Sequence, residues 1–175
     1  KRPAATGCTP LSIGKAAGGK SENHFTVLGD LAVECPSYLH FLPPVAGDAV
    51  SRLWVTQFGM ARAGGVVGVD LTGNLPARRC KAPFVWPNAV EHVKDGELSG
   101  VKGASILVAD GFLVPGKNDG CVWVVEDPGG PNERAVAVTP RKKTWFYHKA
   151  VPFEMNGHQG ILTARAFKSM NPFVP

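Results

Sequence analysis

An all-β fold, built as a β-propeller or as part of one, is what three features of this sequence predict. Gly 21 and Pro 15 together make 36 of 175 residues. That is about a fifth, against an average nearer 12%, and it leaves little room for long helices. Short runs rich in Val, Phe, Tyr and Trp recur between Gly, Pro, Asn and Asp, the pattern of strands bounded by turns. Four segments also share an apolar run, then an acidic residue: Thr26-Val-Leu-Gly-Asp30, Val66-Val-Gly-Val-Asp70, Ile106-Leu-Val-Ala-Asp110 and Ala150-Val-Pro-Phe-Glu154. The acidic positions step by 40, 40 and 44. Short strands at a period near 40 are the sequence form of propeller blades.

Taken in chain order, residues 1–24 read as a Gly/Lys-rich N-terminal extension and residues 25–175 as about four repeats. The four acidic segments supply one strand each. Further strands are predicted at 38–42, 53–58, 121–125, 135–139, 145–148 and 161–164, giving about ten in all and no amphipathic helix. The turns are chemically consistent: Asn118-Asp-Gly120 precedes the run from Cys121, and Asp127-Pro-Gly-Gly130 follows it. Glycine reaches positive φ there without steric cost.

Composition narrows the class further. A chain of this size can withdraw roughly 68–70% of its surface from water, enough for a true core. Apolar residues at 44% and charged residues at 19% exclude a disordered chain. No run approaches the 18 apolar residues of a membrane span. The net charge of +5 is compatible with a glycan or another acidic ligand and points to neither specifically; nucleic acid is not expected. Cys8, Cys35, Cys80 and Cys121 are scattered, with no C-x-x-C pair. They read as one or two long-range disulfides, and so as an extracellular, secreted protein. The chain begins at Lys1 without Met, which reads as a processed product or a fragment.

Two stretches carry a resemblance. Val66-Val-Gly-Val-Asp70-Leu-Thr-Gly-Asn74, together with Phe153-Glu-Met-Asn156-Gly157 and Ile161-Leu-Thr-Ala-Arg165, resembles FG-GAP/VCBS-type propeller repeats. Trp86-Pro-Asn-Ala-Val90 and Ile106-Leu-Val-Ala-Asp110 look faintly like gluconolactonase-type propellers. The resemblance spans about a third of the chain in short, degenerate motifs. It implies a propeller, and rings of that kind usually close with more blades than four repeats provide. The chain then either closes as a compact four-bladed ring or, as the favoured expectation, is a piece completed by another chain or by the remainder of a longer polypeptide.

Four constellations carry chemistry. Calcium needs closely spaced oxygens; Asp70, Thr72 and Asn74 offer three, and Glu154 and Asn156 offer two more, so a weak Ca²⁺ site is the cofactor expectation. The resemblance to gluconolactonase-type enzymes implies Glu34, Asn88, Asp110 and Asn156 around one divalent ion that activates water. Gly14-Lys-Ala-Ala-Gly-Gly19-Lys20-Ser21 fits the phosphate-loop pattern, although no buried strand precedes it and no helical pattern follows. The basic–aromatic stretch around Lys143, Trp145 and Tyr147 could hold a glycan by cation and ring contacts; its ordinary alternative is a strand whose aromatics pack between blades. The five dispersed histidines form no nucleophile-activating pattern.

The function expected is an extracellular, non-catalytic binding module whose ligand face carries the loops after Asp70, Asp110 and Glu154. The alternatives are a metal-dependent esterase or lactonase at a propeller's central opening, and a phosphate-loop nucleotide-binding protein.

Overall fold

A computed structural model describes residues 36–42, 52–59, 62–71, 77–111, 119–141 and 145–167. These residues are all-β and form three antiparallel sheets, none closed on itself. The first sheet runs β1 (Pro36–Leu42), β2 (Arg52–Gly59), β3 (Arg62–Asp70) and β4 (Arg78–Arg79). The second runs β5 (Ala89–Val93), β6 (Ser105–Ala109), β7 (Val122–Glu126) and β8 (Arg134–Ala137). Both are simple meanders in which each strand pairs with the next. The third is a hairpin of β9 (Trp145–Met155) and β10 (His158–Phe167).

Strand existence follows the apolar runs closely. The expected segments at 145–148 and 150–155 fuse into one long β9 that carries Pro152. Proline removes a ladder donor and is tolerated where one edge of a strand is unpaired, and β9 pairs only with β10 among the described residues. The sequence pattern missed β4 and β5. The two residues of β4 are both Arg, and β5 carries Glu91 and His92 within five residues.

The 40-residue interval is not the interval of the sheets. Asp70 ends the third strand of the first sheet, Asp110 follows the second strand of the second, and Glu154 lies in the first strand of the hairpin. These positions are not equivalent within their sheets; residues 72–76 after Asp70 and 112–118 after Asp110 lie outside the described residues. The sheets begin instead at Pro36, Ala89 and Trp145, intervals of 53 and 56 residues. A second pattern follows that spacing: Ile106-Leu-Val-Ala109 in β6 returns as Ile161-Leu-Thr-Ala164 in β10, and in sequence the two runs both continue to a Phe three residues on, Phe112 and Phe167. Leu53-Trp-Val-Thr-Gln57 in β2 is a looser copy.

Period-two alternation turns this repeat into a stack. Trp54 and Val66 of the first sheet join Val90, Ile106, Val108, Trp123 and Val125 of the second in one core, together with Cys80, Phe84 and Cys121. The alternate residues of the second sheet, Ala89, Val93, Leu107, Ala109, Val122 and Val124, form another core with Tyr147 and Ala150, and Ile161 packs against it. Every residue of β6 is therefore buried. Each fully buried Val, Leu or Ile contributes about 1.5–3 kcal/mol of transfer free energy. Phe84 adds an edge-to-face contact with Trp123, 5.8 Å between ring centres.

Candidate functional site

Asp110 is the polar hub of the second sheet. Its carboxylate is 0% exposed and sits just past β6, where the chain must turn. It accepts the backbone N–H of Trp86 at 2.7 Å, of Gly111 at 2.9 Å and of Val85 at 3.0 Å, and the indole Nε1–H of Trp123 at 3.2 Å. One side chain thus ties the segment before β5 to the end of β6 and to β7. The backbone completes the knot: the Asp110 N–H donates to the Cys121 carbonyl at 3.0 Å, and the Tyr147 N–H donates to the Asp110 carbonyl at 3.3 Å. Two glycines make room for it. A Cβ on Gly120 would lie 2.0 Å from the Asp110 carbonyl oxygen, and Gly111 holds φ +95 with the Gly120 Cα 2.6 Å from where its own Cβ would be.

Asn88 lies beside this hub. Its Nδ2 donates to the Gly111 carbonyl at 2.7 Å, so two of the four residues expected around a catalytic ion do come together. They hold backbone rather than an open cavity. A buried carboxylate with four donors on it has no coordination position left to offer without dismantling the turn. Asn156 is elsewhere, in the Asn156-Gly157 turn between β9 and β10. Its φ of +52 and the +76 of Gly157 are the positive pair of a type I′ hairpin turn, which favours Asn-Gly. Glu34 lies outside the described residues.

The calcium expectation divides in the same way. Asp70 is 1% exposed and stands directly opposite Arg52 across β2 and β3, itself 3% exposed. Opposite charges at such a cross-strand position attract each other. Glu154 is exposed on β9, and Thr72 and Asn74 lie outside the described residues. Among the described residues, no three His, Cys, Asp or Glu side chains gather as a metal group. Tyr147, expected as a sugar platform, is 3% exposed and packs in the core between the second sheet and the hairpin. Phe146 beside it is 1% exposed. The ladder pairs Tyr147 with Arg165 and Phe146 with Ala166, so the two side chains take opposite faces of the hairpin and each is buried. Lys143 and the loop residues Gly14, Gly19, Lys20 and Ser21 lie outside the described residues, as does the side chain of Trp145.

Cys80 and Cys121 are buried free thiols, which corrects the disulfide expectation for these two; Cys8 and Cys35 lie outside the described residues. Burial pushes the Cys121 thiol up to about 11 and that of Cys80 higher still. Both are inert core residues rather than thiolates. No helix among the described residues is long and apolar enough to cross a membrane.

Sequence reasoning missed one cluster, at the junction of the sheets. His40 of β1, Glu91 of β5 and Lys149 of β9 come from the first strand of each sheet. His40 Nε2 lies 3.3 Å from Glu91 Oε1, and the Lys149 ammonium donates to Glu91 Oε2. The three side chains keep 21%, 22% and 39% of their surface in solvent. Burial lowers the His40 pKa, and Lys149 lowers it further against the pull of Glu91. Burial also lowers that of His92, the next residue along β5. At neutral pH the junction is thus a Lys–Glu ion pair beside an uncharged imidazole. It is a polar connection between sheets. Separations of about 50 residues carry no local signal that could have announced it.

No family model, curated protein or solved structure matches the chain.

Proposed function

We propose that this chain is a non-catalytic interaction module of the β-propeller type, in which successive sheets stack face to face and the first strand of each meets at a shared polar junction. The observation that carries this reading is the hub at Asp110. The best-placed carboxylate for an ion or a general base has its oxygens committed to three backbone N–H groups and one indole. The stack supports the same reading. Two four-stranded meanders, followed by a hairpin on the same interval, have the order of propeller blades. The partner is polypeptide that extends the stack. Calcium is not required for it, because Asp70 stands against Arg52 within the first sheet.

The test is hydrolysis of a panel of aryl esters and lactones, with Ca²⁺, Mg²⁺ or Zn²⁺ added and with chelator. No turnover above the protein-free rate is expected under any condition. Turnover that falls with chelator and returns with one metal would overturn the reading in favour of the hydrolase.

A further inference from the structure

Of the seven asparagines in the chain, Asn156 alone is followed by glycine. The fold places that pair at the tip of the third sheet. Met155 and His158 are the last partners of the β9–β10 ladder, and Asn156 and Gly157 form the turn between them. Every residue from Phe153 to Gln159 is exposed. The Asn156 amide has no hydrogen-bond partner among the described residues. A two-residue turn closes through a bond between its flanking residues, which leaves the central N–H groups unused.

These conditions favour a reaction between side chain and backbone. The Gly157 nitrogen is bonded to the Asn156 carbonyl carbon, so its attack on the side-chain Cγ closes a five-membered ring. Closure swings the peptide between the two residues out of the turn and toward the side chain. A side chain on the following residue would resist that movement, and Gly157 has none. Nothing lies within 4 Å of where its Cβ would stand, and glycine accepts φ of either sign. The other described asparagines lack this freedom. Asn88 is half-buried, its Nδ2 donates to the Gly111 carbonyl at 2.7 Å, and the buried Ala89 follows it. Asn132 is followed by Glu133, whose carboxylate is tied to the N–H groups of Lys81, Ala82 and Gly129.

We propose that Asn156 is a site of spontaneous conversion to aspartate and isoaspartate, and that the isoaspartate form releases the hairpin from the loop beside it. Hydroxide removes the Gly157 N–H proton, the nitrogen bonds to Cγ, and the amide C–N bond breaks. The leaving group takes up a proton and departs as ammonia. Water then opens the cyclic imide. Cleavage at the side-chain carbonyl gives aspartate, and cleavage at the main-chain carbonyl gives isoaspartate, whose backbone runs through Cβ and is one atom longer. No electrons change hands. Hairpin register is fixed by turn type and loop length, so the extra atom displaces the residues that flank the turn. Gln159 is next to them and fastens the hairpin to the loop after β5. Its Nε2 donates to the Gly96 carbonyl at 2.7 Å, and its Oε1 accepts the Ser99 hydroxyl at 2.9 Å.

The test incubates the whole chain at pH 6 and pH 8 and follows each asparagine by peptide mapping that resolves Asn, Asp and isoAsp. Conversion at Asn156 should run on the order of tenfold faster than at Asn88 or Asn132, because glycine alone frees the ring closure. It should be faster at pH 8 than at pH 6, with isoaspartate among the products. Asn156→Gln, which would need a six-membered ring, should stay unconverted. In the isoaspartate form, exchange should accelerate at the amides of Glu97 and Val101, which donate to the Lys94 and Leu98 carbonyls. Freshly prepared Asn156→Asp carries the new charge on a normal backbone and should keep both amides protected. Equal conversion at the three asparagines overturns the proposal, as does an Asn156 that converts only after urea unfolds the chain. Unchanged exchange at Glu97 and Val101 in the isoaspartate form overturns the release, and lost protection in Asn156→Asp overturns its backbone cause. None of these results depends on whether the chain is an interaction module or a hydrolase.

Discussion

The second sheet and the β9–β10 hairpin use nearly the same strand sequence in opposite environments. Leu107 in β6 is 1% exposed and Leu162 in β10 is 57% exposed, although both follow an Ile and precede a β-branched residue and an Ala. The preceding Ile packs toward the neighbouring sheet in both. Alternation therefore selects which face a residue takes, and the presence of a neighbouring sheet selects whether that face is core. At the end of the strand the two diverge in chemistry as well. Asp110-Gly111 forms a buried hub, while the corresponding Arg165-Ala166 lies outside any core.

That contrast is broken most severely at the hub. Gly120→Ala would drive a methyl group into the Asp110 carbonyl, with a main-chain oxygen as the obstacle, at a cost beyond the ~1–3 kcal/mol of ordinary overpacking. Asp110→Ala leaves several buried donors unpaired at about 1–3 kcal/mol each. Both variants are expected to lose the cooperative urea transition seen by circular dichroism, whereas Arg165→Ala should retain it. A native transition in Gly120→Ala would sink the account of the hub.

Next in size is the paired truncation. Leu107→Ala should cost about 2–5 kcal/mol, as a buried leucine does, while Leu162→Ala should stay within about 0.5 kcal/mol. Equal costs in urea titrations would mean that the hairpin face is already covered.

The junction gives a smaller, pH-dependent effect. His40 and His92 both have pKa values below the ordinary 6.5 in the folded chain. The unfolded chain then takes up protons first as the pH falls. Their stabilisation is complete above about pH 6.5 and is lost as the pH drops through the folded values. Urea midpoints measured downward from pH 7 should fall, and the fall should be shallower in His40→Gln. An identical slope in that variant would remove His40 from the argument.

Smallest is the hairpin tip. Gly157 has φ +76 with open space around its Cα, so Gly157→Ala meets only backbone strain, about 1 kcal/mol. A loss as large as that of Gly120→Ala would show that the tip is not the free turn described here.

The thiols offer a separate check. With Cys80 and Cys121 buried and their pKa values raised, neither should react with a thiol reagent at pH 8 until urea unfolds the chain. Rapid labelling of Cys121 in the native protein would contradict its place in the core.

Much of the local structure was legible. Runs of Val, Ile and aromatic residues at 53–58, 106–110 and 121–125 name their own strands, because a pleated, half-buried ladder favours those side chains. The interval was harder to read. Asp70, Asp110 and Glu154 stand at or near strand ends, yet they belong to different strands of different sheets, and Asp30 lies outside the described residues. The interval that the sheets follow lies in Ile106–Phe112 and Ile161–Phe167, where apolar and small residues recur while the one charged position changes sign from Asp110 to Arg165. Among the candidate site residues, Asp110 and Asn88 lie close together through Gly111, a proximity that sequence does not show, just as it shows a carboxylate without showing how many N–H groups converge on it.

The sequence by itself determined the all-β class, most strand positions and the Asn156-Gly157 turn, since each depends on neighbours within a few residues. Tertiary structure alone decided the rest. It placed Asp110 inside and Glu154 outside, buried Tyr147, and brought His40, Glu91 and Lys149 together from three strands. Those outcomes depend on which sheet covers which face, and that is settled by residues about 50 positions apart.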